Sequence, residues 1–154
     1  THKEDDAKVV HELMNNADIR IVSGGTTSQI VARELGVEVK SSTEIYDKEV
    51  PPIAYIQGVD LVTEGVLTLS KTIDRLKSLS KSLDSDIFKA KDGASQMAKL
   101  LYSASHIKLL VGRSLNIANA ESSFQRDLEL RLHVIGELEK ILVKLGKIVT
   151  VEYY

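Results

Sequence analysis

The residues best suited to chemistry lie at three points where an apolar run ends. These segments are 23–28 (SGGTTS), 63–65 (TEG) and 112–116 (GRSLN). In an open parallel sheet, ligands bind outside the carboxyl ends of the strands. If the apolar runs are parallel strands, the three segments should therefore converge at one edge of the sheet.

Segment 23–28 has the residue types of an anion site. Gly24 and Gly25 let the backbone approach a ligand, and the first N–H groups of a helix point outward. The hydroxyls of Thr26, Thr27 and Ser28 add donors. The segment matches neither the phosphate loop GxxxxGK[ST] nor the dinucleotide motif GxGxxG, so the motif by itself is weak.

The alternative for segment 23–28 is a capped turn between a strand and a helix. Thr26 followed by Gln29 fits a capping box, and the two glycines would then supply positive φ angles. Taken alone, the segment favours this alternative. Arg113, directly after an apolar run, makes the two interpretations about equal, because a guanidinium can hold two phosphate oxygens. Asn116 is the other candidate of that loop, and a salt bridge is the structural alternative for Arg113.

Thr63 and Glu64 are supporting candidates at the same edge. Glu64 could hydrogen-bond a sugar hydroxyl or act as a general base. The favoured alternative is structural: Thr63 caps the next helix and Glu64 lies in its first turn. The four histidines have no metal-ligand spacing, so we expect neither a metal site nor a catalytic triad.

Composition restricts the class of protein. A chain of 154 residues fits one domain. The absence of cysteine excludes disulfides, thiolate zinc sites and a cysteine nucleophile. The net charge of −2 argues against a nucleic-acid binder, and the apolar runs are too short to span a membrane. We expect a cytoplasmic protein, and the start THKEDD without methionine suggests a piece of a longer chain.

Hydrophobic periodicity predicts alternating strands and helices. The predicted helices are 4–15, a helix from Thr26 to a terminal glycine at Gly36, one from Val66 to Leu76, one capped by Asp92, and 124–145. Strands are expected at 19–22, 37–40, 106–112 and 147–154, and a further strand is expected to begin near Asp60 and end before Thr63. The polar stretch 77–93 is expected to be a loop or a mobile excursion. This alternation predicts a three-layer, Rossmann-like α/β fold, with a mainly parallel sheet of about four to five strands and helices on both faces.

Several segments together resemble a known family. The stretches GGTTSQIVARELG, VPPIAYIQGVDLVTEGVLTL, DGASQMAKLL, HIKLLVGRSLN and LGKIVTVEYY are similar to the C-terminal region of bacterial phosphatases related to stage II sporulation protein E. Those are metal-dependent serine/threonine phosphatases of the PPM type. The resemblance covers residues 24–154. It departs in the last loop, where Asn116-Ile117 and Asn119-Ala120 stand in place of an asparagine-proline and a histidine.

The resemblance implies that the phosphatase site lies elsewhere. The aspartates that hold two Mn or Mg ions in that family belong to a separate, N-terminal domain. This chain would then be an accessory domain with no catalytic residue, metal or cofactor of its own, and the phosphatase domain would be its partner.

Three hypotheses follow from the sequence. The leading one is a regulatory domain of a serine/threonine phosphatase that binds a small anion or nucleotide at segment 23–28 and Arg113. The second is a small sugar-phosphate or nucleotide enzyme with Glu64 as base. The third is a dimerisation or protein-interaction module in which segment 23–28 is only a turn. A homodimer is compatible with each.

Overall fold

A computed structural model of the chain describes residues 3–82, 85–112 and 121–154. Within these residues, the elements in chain order are α1 (Lys3–Asn15), β1 (Ile21–Ser23), α2 (Gly25–Leu35), β2 (Lys40–Ser41), β3 (Ala54–Tyr55), β4 (Leu61–Thr63), α3 (Val66–Lys81), α4 (Ser85–Lys89), α5 (Gly93–Ser103), β5 (His106–Val111), α6 (Glu121–Lys144) and β6 (Ile148–Tyr153).

The described strands form two small sheets. The first has the order β1-β4-β3-β2, in which β1 and β4 are parallel whereas β3 pairs antiparallel with both β4 and β2. The second sheet consists of β5 and β6, which are parallel over their full length from His106↔Ile148 to Val111↔Tyr153.

The predicted Rossmann-like sheet is therefore wrong, although the chain is a mixed α/β protein. A parallel connection needs a crossover of a dozen or more residues that is usually helical. The connection between β2 and β3 has no helix and contains Pro51 and Pro52, which disfavour one. It returns the chain antiparallel, and the resulting strands are only two residues long.

Two hydrophobic cores lie on opposite faces of the β1–β4 pair. Leu61 packs with buried residues of α3, α5 and α6, whereas its neighbour Val62 packs with residues of α1 and α2. Successive side chains of a strand point to opposite faces. The short parallel pair is thus covered by helices on both sides, and its carboxyl end emerges between them.

The prediction of a loop over residues 77–93 is also wrong. Helix α3 continues to Lys81, and α4 lies within the same stretch. Leu79 and Ile87 are buried in the larger core. Leu79 continues the stripe of Ile73 and Leu76 at helical spacing, so burial of a few apolar side chains outweighs the polar composition of the segment.

Other local predictions agree with the structure. Helix α1 covers the predicted segment, and Gly36 ends α2 in the left-handed conformation with φ of 69°. The Asp92 carboxylate accepts a hydrogen bond from the Ser95 N–H at the start of α5. In the described part of the chain, no helix combines the length and the apolar character needed to cross a membrane.

Candidate functional site

The carboxyl ends of β1 and β4 bring two of the three predicted segments together. The Gly24 N–H donates to the Thr63 carbonyl (3.0 Å), and the Ser23 hydroxyl donates to the Glu64 carbonyl (3.0 Å). A β-carbon added at Gly65 would lie 3.7 Å from the Gly24 Cα, so the two turns are in close contact. This juxtaposition follows from the parallel pairing of Ser23 with Thr63.

The third segment is described only at its first residue. Arg113 and Asn116, both predicted to contact an anion, lie outside the described residues. Within the described residues, the candidate site consists of the turns that follow β1 and β4.

The start of α2 differs from the predicted capping box. The N-cap is Gly24, with φ of 107°, and no side chain caps the helix. Because Gly25 is already helical, Thr26 is the second residue of the helix and lies too far along to act as its cap. The Ser28 hydroxyl is buried and donates to the Gly24 carbonyl (2.6 Å), so this predicted donor is used within the turn.

Three backbone donors remain at the start of α2. Among the described residues, the N–H groups of Gly25, Thr26 and Thr27 have no hydrogen-bond partner, and all three residues are exposed. The first N–H groups of a helix carry the positive end of its dipole. Helix α2 therefore presents convergent donors, flanked by two threonine hydroxyls, at the carboxyl edge of the β1–β4 pair.

At the start of α3, a backbone N–H group of the first turn is hydrogen-bonded to the carboxylate of Glu64, which precedes the helix. Glu64 Oε1 accepts from the Thr68 N–H (3.2 Å) and lies 3.4 Å from the Thr68 hydroxyl, whereas Thr63 stays in β4 and caps nothing. The expected cap by Thr63 is thus wrong: the N-cap is Gly65, and Glu64, one residue before it, accepts the hydrogen bond from Thr68. An anion at this edge has donors available on α2 but meets a negative charge beside α3. The assignment of Glu64 as a general base stays a prediction.

The Thr63 hydroxyl is a further unusual feature of this edge. Thr63 is 4% exposed, and its Oγ1 has no hydrogen-bond partner among the described residues. Its methyl group lies against α5, since a β-carbon added at Gly93 would be 3.4 Å from Thr63 Cγ2. A buried hydroxyl without a partner costs about 1–3 kcal/mol.

We expect Thr63→Val to raise the free energy of unfolding by about 1 kcal/mol, because it removes this desolvated hydroxyl and keeps the branched shape. The matched control is Thr72→Val in α3. Thr72 is equally buried, but its hydroxyl donates to the Thr68 carbonyl (2.8 Å), so the same change should lower the free energy by about 1 kcal/mol. Urea denaturation measures both. Equal destabilisation of the two variants would mean that the Thr63 hydroxyl is satisfied in solution.

Sequence reasoning missed Arg131, a cation beside the end of β5. Its Nη1 donates to the Gly112 carbonyl (2.8 Å), and burial lowers the pKa of its guanidinium. Arg131 precedes Val134 and Leu138 at spacings of three and seven, which puts it on the buried face of α6. An arginine at a position on the predicted apolar face of this helix is the pattern from which the role of Arg131 could have been predicted.

No group of three or more potential metal-binding side chains occurs among the residues that the structure describes. Comparison of the chain with protein-family models, with curated proteins and with solved structures gave no match.

Proposed function

We propose that this chain is an accessory, regulatory domain of a bacterial serine/threonine protein phosphatase and binds a small anion at the start of α2. The resemblance of residues 24–154 to the C-terminal region of that phosphatase family supports the first part. In this proposal the catalytic domain, with its Mn or Mg ions, precedes the chain and is its partner. A cytoplasmic location belongs to the same proposal.

The observation that carries the binding role is the open start of α2. Gly24 provides a positive φ at the turn, no side chain caps the helix, and three exposed N–H groups are unpartnered within the described residues. Helix starts of this kind bind phosphate because the donors and the dipole favour the same charge. The Thr26 and Thr27 side chains lie beside these donors.

The carboxylate of Glu64, beside the start of α2, restricts the classes of ligand that can bind there. Glu64 accepts hydrogen bonds and repels a second negative charge placed near it. A ligand that directs a phosphate toward α2 and a hydroxyl toward Glu64 satisfies both groups. We therefore expect a phosphorylated sugar or a nucleotide to bind more tightly than inorganic phosphate.

Gly25 allows a test that removes one donor and keeps the fold. Proline is favoured at the first position of a helix, so the Gly25→Pro variant should fold. The substitution removes the N–H group of residue 25, and the proline ring blocks the approach of a ligand to this position. The matched control Gly25→Ala keeps the N–H, and its added methyl group meets no atom within 4 Å. We expect ligand binding to survive in Gly25→Ala and to be lost in Gly25→Pro.

The measurement is thermal unfolding with inorganic phosphate, ribose 5-phosphate and adenosine monophosphate. A ligand at about a hundred times its dissociation constant adds about 2.7 kcal/mol to stability, and each kcal/mol raises the Tm of a domain this size by roughly 2–4 °C. A rise that is equal in both variants, or no rise for any of these ligands, would contradict the binding site. The last outcome would favour the interaction module.

The variant Glu64→Gln distinguishes between the hypothesis of an enzyme and that of a binding domain. This change keeps an acceptor for the Thr68 N–H and removes the base. Turnover of a sugar phosphate that Glu64→Gln abolishes, with ligand binding retained, would favour an enzyme over a regulatory domain.

A further inference from the structure

A groove between the last turns of α3 and the C-terminal half of α6 concentrates positive charge. We call it the lysine groove. Its volume is about 220 Å³, and it is lined by Lys77, Ser80, Lys81, Glu137, Lys140, Ile141 and Lys144. Four lysines and one glutamate give the lining a net charge of +3, whereas the whole chain has a net charge of −2.

Little within the described residues neutralises this charge. Lys140 lies 3.5 Å from Glu137, and the other three lysines have no ion-pair partner there. Lys77 and Lys81 are four residues apart on α3, as are Lys140 and Lys144 on α6. Like charges at this spacing destabilise a helix, so the groove concentrates repulsion that an anionic partner would relieve.

Part of this charge has a structural role, because cations near a helix C-terminus interact favourably with its dipole. In the last turns of the two helices that role belongs to Lys81 and Lys144. The dipole effect falls off within the last turn, so it does not account for Lys77 and Lys140, which lie one turn earlier and face the same groove.

We propose that the lysine groove binds an acidic, extended segment of a partner protein. Small ligands usually bind in concave pockets of about 300–1,000 Å³ that enclose most of their surface, whereas this groove is smaller and its four lysines are exposed. Its lining offers no aromatic side chain on which a base could stack and no arginine. Each lysine ammonium is a compact point charge on a flexible stem, so it can pair with a carboxylate without a fixed geometry.

The lysine groove is separate from the anion site proposed above. Helix α3 begins beside that site at Val66 and ends at the groove with Lys81. Its 16 residues span about 24 Å. A variant of the groove therefore leaves the turns at the start of α2 unchanged, and the two proposals can fail independently.

The test uses the fluorescence anisotropy of a labelled oligoglutamate peptide at low salt. In the double variant Lys77→Gln/Lys144→Gln, which removes one lysine from each helix, we expect affinity to fall about tenfold. The matched control is Lys40→Gln/Lys48→Gln. Both of those lysines are exposed and lie outside the groove, so the control changes net charge equally and should keep the native affinity.

Four further measurements test the role of charge and the class of partner. An oligoglutamine peptide should not bind, and salt above about 0.1 M, where the Debye length falls below about 10 Å, should weaken the oligoglutamate complex. Tighter binding of single-stranded DNA or of phosphatidylserine vesicles would overturn the proposal in favour of those partners. Absence of oligoglutamate binding, or an equal loss in both double variants, would also overturn it.

Discussion

Replacement of Asp92 by alanine is expected to lower the free energy of unfolding by about 2–4 kcal/mol. Asp92 is 6% exposed, and its Oδ2 accepts from the Ser95 N–H (3.0 Å) and lies 3.4 Å from Arg75 Nη2. One carboxylate therefore caps α5 and pairs with a cation of α3. Its removal affects α3 and α5, which both contribute to the larger core.

The size of the effect comes from two losses. A lost N-cap costs about 1 kcal/mol, and removing one partner of a buried ion pair costs about 3–5 kcal/mol because the other charge is left without compensation. Arg75 keeps Asp47 at 3.0 Å and the Ser95 hydroxyl at 2.8 Å, which reduces the second loss. We therefore expect the total loss of stability in Asp92→Ala to be smaller than the sum of the full cap loss and the full ion-pair loss.

Asp92→Asn separates the two losses. Asparagine caps a helix about as well as aspartate, so this variant should keep the cap and lose the charge. We expect its stability to lie between those of the native protein and Asp92→Ala in urea denaturation. A loss below about 1 kcal/mol for Asp92→Ala, with an unchanged denaturant dependence, would mean that Asp92 acts as a cap alone.

Leu76→Ala is expected to lower the free energy of unfolding by about 3–5 kcal/mol. Leu76 has no exposed surface and lies in the larger core, between helices that pack on both sides of α3. Truncation of a fully buried leucine loses transfer free energy and leaves a cavity, and measured losses for such changes are about 2.7–5 kcal/mol.

The matched control for this prediction lies on the same helix. Leu67→Ala makes the same chemical change at a side chain that is 62% exposed, so its effect should stay within about 0.5 kcal/mol. Thermal and urea unfolding of the two variants compare burial directly, since helix propensity changes equally in both. Similar losses for Leu67 and Leu76 would show that α3 does not pack in solution as described.

Parallel strands place their carboxyl ends at one edge, so the meeting of the turns after β1 and β4 could be predicted once both runs were taken as strands. The same reasoning could not predict how that edge is satisfied. At the start of α3, Glu64 accepts a hydrogen bond from a backbone N–H group. At the start of α2, the first backbone N–H groups have no such acceptor among the described residues. Which side chain reaches an N–H group depends on where each helix begins, and the N-cap of α2 is Gly24, two residues before the predicted cap at Thr26.

The features that could be predicted from the amino-acid sequence are those that depend on near neighbours. The cap by Asp92, the terminal glycine at Gly36 and the periodic faces of α1 and α5 rest on residues within a few positions of each other. The antiparallel return of β3, the Arg131 contact with Gly112 and the lysine groove became apparent from the packed chain alone. The Arg131 contact and the lysine groove join residues far apart in the chain, whereas β3 pairs with β4 only through Ala54 and Val62. The energies of all three depend on packing that no local pattern encodes.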